Sequence, residues 1–140
     1  MNYLIGDIGN SYIKISILNH KFDIKKTYSL ATNKIHSKYN RTLFFKKFLN
    51  KNLNKKILFS SVVPKVYKKI SNILKKKKFN LYEVKDLKIK KILNVNIKSF
   101  KQLGSDRIAN SIGANKNKNC LVIDFGTATT FDIIINGVYE

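Results

Sequence analysis

The 140-residue chain is 44% hydrophobic with a net charge of +20, enough apolar content to build a core and unlike a disordered segment. Its longest apolar run is far short of a bilayer span and Cys120 is the only cysteine, so an internal disulfide is excluded. No Cys/His cluster suits zinc, no Gly-x-x-x-x-Gly-Lys-[Ser/Thr] loop is present, and no basic-then-apolar export signal follows Met1, so the expectation is a cytoplasmic protein.

Tyr3–Leu18, YLIGDIGNSYIKISIL, reads as a strand, a tight turn at Asp7-Ile8-Gly9-Asn10-Ser11 and a returning strand. Ile13, Ile15 and Ile17 alternate with Lys14 and Ser16, as a strand with one buried face requires. Gly9 is expected to free the turn so that its N–H groups approach a ligand. Asp7 stands where the strand ends, a usual place for a carboxylate that meets a metal ion or its waters, and Ser11 adds a hydroxyl. Lys21–Leu30, with Phe22, Ile24 and Tyr28, reads as a third strand that completes an antiparallel meander. Ala31–Asn40 is polar and reads as a connection; neither His36 within it nor His20 is given a role.

Thr42–Leu53 predicts a short amphipathic helix and Lys56–Val63 a strand. Pro64 suits the first position of a helix reaching Lys78, with Val66, Ile70, Ile73 and Leu74 on its apolar side. Phe79–Val84 reads as the next strand, and the strand–helix–strand order implies a mixed sheet with helices packed on it. Lys85–Lys101 fits no single period and reads as a loop with a short strand. Gly104 stops it. Ser105 is expected to N-cap a helix running to Ala114, with Asp106 at the positive end of the helix dipole. Lys116–Asn119 reads as a turn, and Asn136-Gly137 as the turn of a further hairpin.

Between those turns, Leu121–Ile135 repeats the opening pattern: an apolar strand, Asp124-Phe125-Gly126-Thr127, and an outgoing strand. One Asp-x-Gly-[Ser/Thr] turn is a weak signal. Two, each between apolar strands, suit a cleft in which two strand-ending loops grip one polyphosphate, with backbone N–H groups around Gly9 and Gly126 meeting its oxygens.

Four segments occur in order: Asp7-Ile8-Gly9-Asn10-Ser11, Ser60-Ser61-Val62-Val63-Pro64, Gly104-Ser105-Asp106-Arg107 and Asp124-Phe125-Gly126-Thr127-Ala128-Thr129-Thr130. They resemble the first phosphate motif, the strand-to-helix junction, the Gly-x-Asp-Arg element and the second phosphate motif of the type III pantothenate kinases. The resemblance covers essentially the whole chain. It implies an α/β fold of the ribonuclease H-like, actin-like ATPase class, shared with the acetate and sugar kinases, Hsp70 and actin. That fold has a mixed sheet with an N-terminal antiparallel meander and flanking helices, followed by the start of a second similar domain. Residues 1–115 are expected to form the N-terminal domain, including the Gly-x-Asp-Arg helix, and 116–140 the first strands of a truncated second domain.

The implied activity is ATP-dependent phosphorylation of pantothenate, the first step of coenzyme A biosynthesis. ATP with Mg2+, a monovalent cation (K+ or NH4+) and a homodimer of the full-length protein come with it. By the same resemblance Asp7, Ile8, Gly9, Asn10, Ser11, Tyr12, Ile13 and Lys14 bind ATP together with Thr127. Gly104, Ser105, Asp106 and Arg107 bind pantothenate, Asp106 is the proton acceptor, and Asp124 holds the monovalent cation. Arg107 is suited to grip a carboxylate such as pantothenate's. Ile97 stands where family members often carry an aromatic that faces the substrate, with Phe100 nearby. Roughly the second half of a family member is absent.

Two other readings stay open: another phosphotransferase or ATPase of the superfamily using the same cleft, and a non-catalytic basic module that binds nucleic acid or regulates. Against specific nucleic-acid binding, only Arg41 and Arg107 supply the planar fork that suits phosphate and base edges. The charge also avoids the motifs: residues 46–91 hold sixteen lysines against Glu83 and Asp86, whereas residues 104–132 balance Arg107, Lys116 and Lys118 with Asp106, Asp124 and Asp132. Lysine, isoleucine and asparagine all have A/T-only codons, so drift in an A/T-rich genome accounts for the excess. No membrane partner is expected. The kinase reading requires the carboxylates of Asp7, Asp106 and Asp124 to converge on one pocket.

Overall fold

The computed structural model describes residues 1–49, 52–114 and 119–140. The expected turn at Lys116–Asn119 lies largely outside them. The chain divides into two compact units, Met1–Glu83 and Val84–Glu140.

The first unit opens with β1 (Asn2–Ile8), β2 (Tyr12–Leu18) and β3 (Ile24–Ala31), an antiparallel meander. Helix α1 (Lys38–Leu49) leads to β4 (Leu53–Ser61), which runs parallel beside β1. Helix α2 (Pro64–Lys76) leads to β5 (Asn80–Glu83), parallel to β4, giving a mixed sheet ordered β3-β2-β1-β4-β5. Period-2 alternation puts Leu4, Ile8, Ile13, Ile15 and Ile17 on the core side, against Phe44 and Phe48 of α1 and Val66, Ile70 and Leu74 of α2. Phe44, Phe45 and Phe48 meet edge to face at 5.6–5.7 Å between ring centres.

Several boundaries move from their expected places. Strand β3 begins at Ile24 because Phe22 turns the chain at a positive φ of 65° and stacks its exposed ring on Tyr3. Helix α1 starts at Lys38, within the polar stretch expected to be a connection, and is anchored there by Arg41, whose Nη1 donates to the Ile35 carbonyl at 3.0 Å. Lone hydrophobic spacing could not show that anchor. Strand β4 starts at Leu53, whose buried side chain extends the core beyond the lysine pair that follows.

In the second unit, short 3-10 turns at Val84–Asp86 and Ile89–Lys91 precede β6 (Asn94–Val95), and another at Phe100–Gln102 precedes α3 (Ser105–Ala114). Strands β7 (Cys120–Phe125), β8 (Thr129–Ile135) and β9 (Val138–Tyr139) follow, in the order β6-β9-β8-β7, with β6 parallel to β9 and the rest antiparallel. Asn136 and Gly137 both have positive φ, 50° and 78°, the backbone that a tight two-residue hairpin turn requires. The unit boundary at Glu83/Val84 differs from the expected division at 115/116. Val84, Ile89, Leu93, Leu103 and Ile108 pack with Ile134 and Tyr139 in one core, so the Gly-x-Asp-Arg helix belongs with the second Asp-x-Gly hairpin. Leu121, Ile123, Phe125, Phe131, Ile133 and Ile135 leave the opposite face of β7 and β8 exposed. Among the described residues no helix is long and apolar enough to cross a membrane.

Candidate functional site

In the first unit the strand register sets Asp7 between Lys14 of β2 and Ser60 of β4. Asp7 is half-buried and Lys14 exposed, so the carboxylate sits at the end of β1 with a cation alongside. Ser60 Oγ is buried and makes no hydrogen bond among the described residues, an unspent hydroxyl next to that carboxylate. Ile8 and Ile13 flank the turn and are wholly buried, so they anchor it and can offer a nucleotide only their backbone. Asn10, Ser11 and Tyr12 form the exposed tip.

The turn is braced from both sides. Thr32 donates its hydroxyl to the Gly9 carbonyl at 2.8 Å and its N–H to the Ser11 carbonyl at 2.9 Å. Val62 donates its N–H to the Ile8 carbonyl at 3.0 Å, tying in the start of the Ser60–Pro64 junction. The N–H groups of the two motif glycines themselves are engaged within their own turns. Gly9 N–H is spent on the Tyr12 carbonyl at 2.9 Å, and Gly126 N–H on the Ala128 carbonyl at 3.2 Å. Each turn closes on itself, so the expectation of N–H groups around Gly9 and Gly126 meeting phosphate rests on the neighbouring residues.

The two motif glycines are nonetheless not demanded by the fold. Neither has a positive φ, and an added Cβ would come no nearer than 3.4 Å to Tyr12 O at Gly9 and 3.6 Å to Ala128 O at Gly126. Gly6 is the contrast: a Cβ there would lie 2.0 Å from the Phe59 ring. A turn that tolerates a side chain but carries none leaves room for the close approach of something outside the chain.

In the second unit, α3 starts at Ser105, so the cap position falls on Gly104, whose carbonyl accepts the Ile108 N–H at 3.2 Å. The expected Ser105 N-cap is therefore corrected: its side chain is fully buried and its hydroxyl has no partner among the described residues. Asp106 takes the capping role instead, with Oδ1 accepting the Arg107 N–H at 2.8 Å. Arg107, expected to wait for a substrate carboxylate, already holds one. Its Nε donates to Asp132 Oδ1 at 2.7 Å, Nη2 lies 2.6 Å from the same oxygen, and Nη2 also donates to the Phe131 carbonyl at 3.1 Å. The buried Tyr139 hydroxyl donates to that oxygen too. The hydrogen bond to Asp132 raises the Arg107 pKa above its usual value despite the opposing effect of burial. Burial first, and then the bond to Asp132, push Tyr139 up to about 12.

Asn110 lies one helical turn beyond Asp106, on the same side of α3. Its Nδ2 donates to Asp124 Oδ2 at 3.1 Å, so the helix bearing Asp106 and the strand end bearing Asp124 meet. Two of the three expected carboxylates thus belong to one helix–sheet junction; Asp7 and its hairpin belong to the other unit. Thr127 sits at the exposed tip of the second turn. Among the described residues no three His, Cys, Asp or Glu side chains form a ready-made metal cluster. Ile97 and Phe100 line one cavity of about 440 Å3 with Lys90, Val95, Lys98, Ser99 and Gln102. Thr32, Asn110, Asp132 and Tyr139 escaped the sequence reading. Only Asp132 carried a signal, as a charge at a core-phase position of an apolar strand.

The sequence profile of the type III pantothenate kinase family matches residues 3–140. A type III pantothenate kinase of Pelagibacter ubique (strain HTCC1062) is 43% identical over 140 residues, covering 98% of this chain and 56% of that protein. One from Fervidobacterium nodosum is 33% identical over 144 residues, again covering 98% and 56%. The chain spans about half the length of the curated relatives it matches. Among solved structures, the Lmo2764 protein from Listeria monocytogenes, a candidate N-acetylmannosamine kinase, aligns with a TM-score of 0.52 at 14% identity, over 100% of this chain and 49% of that one. The likeness is one of fold, the α/β actin-like class that the motifs implied. With its profile matched over nearly the full length, the chain belongs to the type III pantothenate kinase family.

Proposed function

We propose that these residues form the nucleotide- and substrate-binding half of an enzyme that phosphorylates pantothenate with ATP. The observation that carries this reading is the pair of strand-ending turns whose glycines the fold does not itself require. In each, an aspartate stands at the strand end, and one of them adjoins the helix of Asp106 through Asn110. Phosphoryl transfer asks for positioning and charge neutralisation more than covalent catalysis, and such turns supply both.

Asp106 is the proton acceptor in this reading. Its Oδ1 is fixed by the Arg107 N–H, which holds the carboxylate in one orientation and leaves Oδ2 for the substrate hydroxyl. As that hydroxyl oxygen bonds to the γ-phosphorus, the bond from that phosphorus to the β,γ-bridging oxygen breaks and ADP leaves, while the hydroxyl proton passes to Asp106. Asp7 to Lys14 receive the ATP phosphates at the exposed tip, with Lys14 balancing their charge, and Thr127 meets the nucleotide from the second turn. Magnesium would be held at Asp7, where it neutralises phosphate charge. Asp124 has Oδ1 to offer a monovalent cation, K+ or NH4+, because Asn110 occupies Oδ2. Gly104 and Ser105 contribute backbone, and Arg107 its outer edge, to pantothenate. Phe100 supplies a ring in the cavity that Ile97 lines without one. The same reading includes a homodimer of the full-length protein, a cytoplasmic location, and neither a membrane nor a specific nucleic-acid partner.

The test uses the full-length protein: pantothenate-dependent ATP consumption, with and without K+, in the wild type and in Asp106→Asn. The variant is expected to lose about 10²–10⁴-fold in kcat with its melting temperature little changed, the range of a lost general base. A wild type that ignores pantothenate, or a variant that keeps turnover, would refute the reading.

A further inference from the structure

We propose that Asp132, which lies outside all four motifs, is a positioning residue that sets Arg107 for binding an anionic substrate group. The inference rests on the kinase reading above and deepens it at the same site. Asp132 is 1% exposed on β8, in the phase of the strand that faces the core of the unit. Burying a carboxylate is unfavourable unless it is paired and hydrogen-bonded. Here one oxygen, Oδ1, receives Arg107 Nε, Arg107 Nη2 and the Tyr139 hydroxyl, while Oδ2 has no partner among the described residues. The Phe131 carbonyl takes a further bond from Nη2.

These contacts use up one edge of the guanidinium. Nε and Nη2 both face β8, and Nη1 is left without an acceptor among the described residues, on a side chain that is 34% exposed. An arginine held along its inner edge offers an incoming anion its outer donors in one place, so little side-chain freedom is lost on binding. A buried ion pair is weak grounds for stability, since apolar residues of similar size often serve a core as well. What the pair does give is a fixed guanidinium beside Asp106, whose carboxylate is itself bonded to the Arg107 N–H. Tyr139, buried on β9, helps fix Asp132 by sharing the same oxygen. The charge of Asp132 also offsets that of Arg107, so recognition of the anion depends on donor geometry more than on net charge.

The experiment measures KM for pantothenate and kcat in the full-length protein for wild type, Asp132→Asn, Tyr139→Phe, Arg107→Gln and the Asp132→Asn/Arg107→Gln double variant, with a thermal melt of each. Asp132→Asn is expected to raise KM about tenfold while kcat changes less than about threefold, the pattern of lost binding rather than lost chemistry. Tyr139→Phe, which keeps the ion pair, is expected to raise KM about two- to threefold. Because Asp132 acts through Arg107, adding Asp132→Asn to Arg107→Gln is expected to change KM by less than about twofold. An unchanged or lowered KM in Asp132→Asn, or independent effects in the double variant, would overturn the inference, even with a lowered melting temperature. If Asp132→Asn fails to fold, Tyr139→Phe decides alone, and an unchanged KM there overturns it. A wild type with no turnover on pantothenate overturns the kinase reading and the inference together. A working wild type with an unmoved KM in the variants overturns only the inference.

Discussion

Replacing Gly6 and Gly9 by alanine, one at a time, separates what the first hairpin owes to its own fold from what it reserves for a ligand. At Gly6 the new Cβ would lie 2.0, 2.3 and 2.9 Å from Cε1, Cδ1 and Cζ of Phe59. That ring cannot step aside: it is fully buried and packs edge to face on Tyr67 at 5.8 Å. Overpacking of this kind costs about 1–3 kcal/mol. The alanine's stiffer unfolded chain returns about 0.4–1 kcal/mol. Gly6→Ala should therefore destabilise the Met1–Glu83 unit by about 1–2 kcal/mol, a fall in Tm of about 5–15 °C for a unit of that size. At Gly9 the nearest atom to the new Cβ is Tyr12 O at 3.4 Å, and φ is already negative or extended. Gly9→Ala should stay within about 0.5 kcal/mol of wild type, yet weaken ATP, because the methyl occupies the approach to the tip. Far-UV circular dichroism melts give the first quantity and titration with a fluorescent ATP analogue the second. Equal destabilisation by the two substitutions, or a Gly9→Ala protein with unchanged nucleotide affinity, would refute the argument from spare room.

Two further outcomes follow from the hydrogen bonds. Tyr139 has its pKa raised from 10.0 to about 12 in the fold, so the folded state keeps a proton that the unfolded chain releases. Its contribution is fully present below pH 10 and is lost as pH rises toward 12. Wild type should therefore lose more stability between pH 9 and 11.5 than Tyr139→Phe does in parallel thermal melts, and equal losses would contradict the assignment. Thr32→Val removes the hydroxyl bond to the Gly9 carbonyl while keeping the backbone bond to Ser11. It should cost about 1 kcal/mol in urea unfolding and raise KM for ATP more than KM for pantothenate, since it loosens only the first turn.

What the sequence made legible was whatever depends on neighbours along the chain. The alternation of Ile13, Ile15 and Ile17 gave the hairpin and its buried face, and Asn136-Gly137 gave the last turn, because both are local rules. The aspartates at 7, 106 and 124 stood out for the same reason, each fixed by the few residues around it. The supporting contacts did not, because they join residues far apart: Thr32 to Gly9 across 23 positions, Asp124 to Asn110 across 14, and Asp132 to Arg107 across 25. Nor could the motifs show that the Gly9 and Gly126 N–H groups are consumed within their own turns, since that depends on how each turn closes.

Asp132 marks where a local rule can still reach a distant contact. Thr130, Asp132 and Ile134 share one phase of β8, and Ile134 is in the core, so the pattern alone places a carboxylate where an apolar side chain belongs. A strand breaks its pattern in this way only if something compensates the charge, and of the chain's 28 basic residues only two, Arg41 and Arg107, carry the planar fork that best suits a buried carboxylate. Arg41 is engaged with the carbonyls of Ile35 and His36, which leaves Arg107, inside the Gly-Ser-Asp-Arg element. The departure from strand pattern and the substrate motif thus point to one another through elementary charge balance. A neutral residue at 132 that left Arg107 equally well placed would break that link.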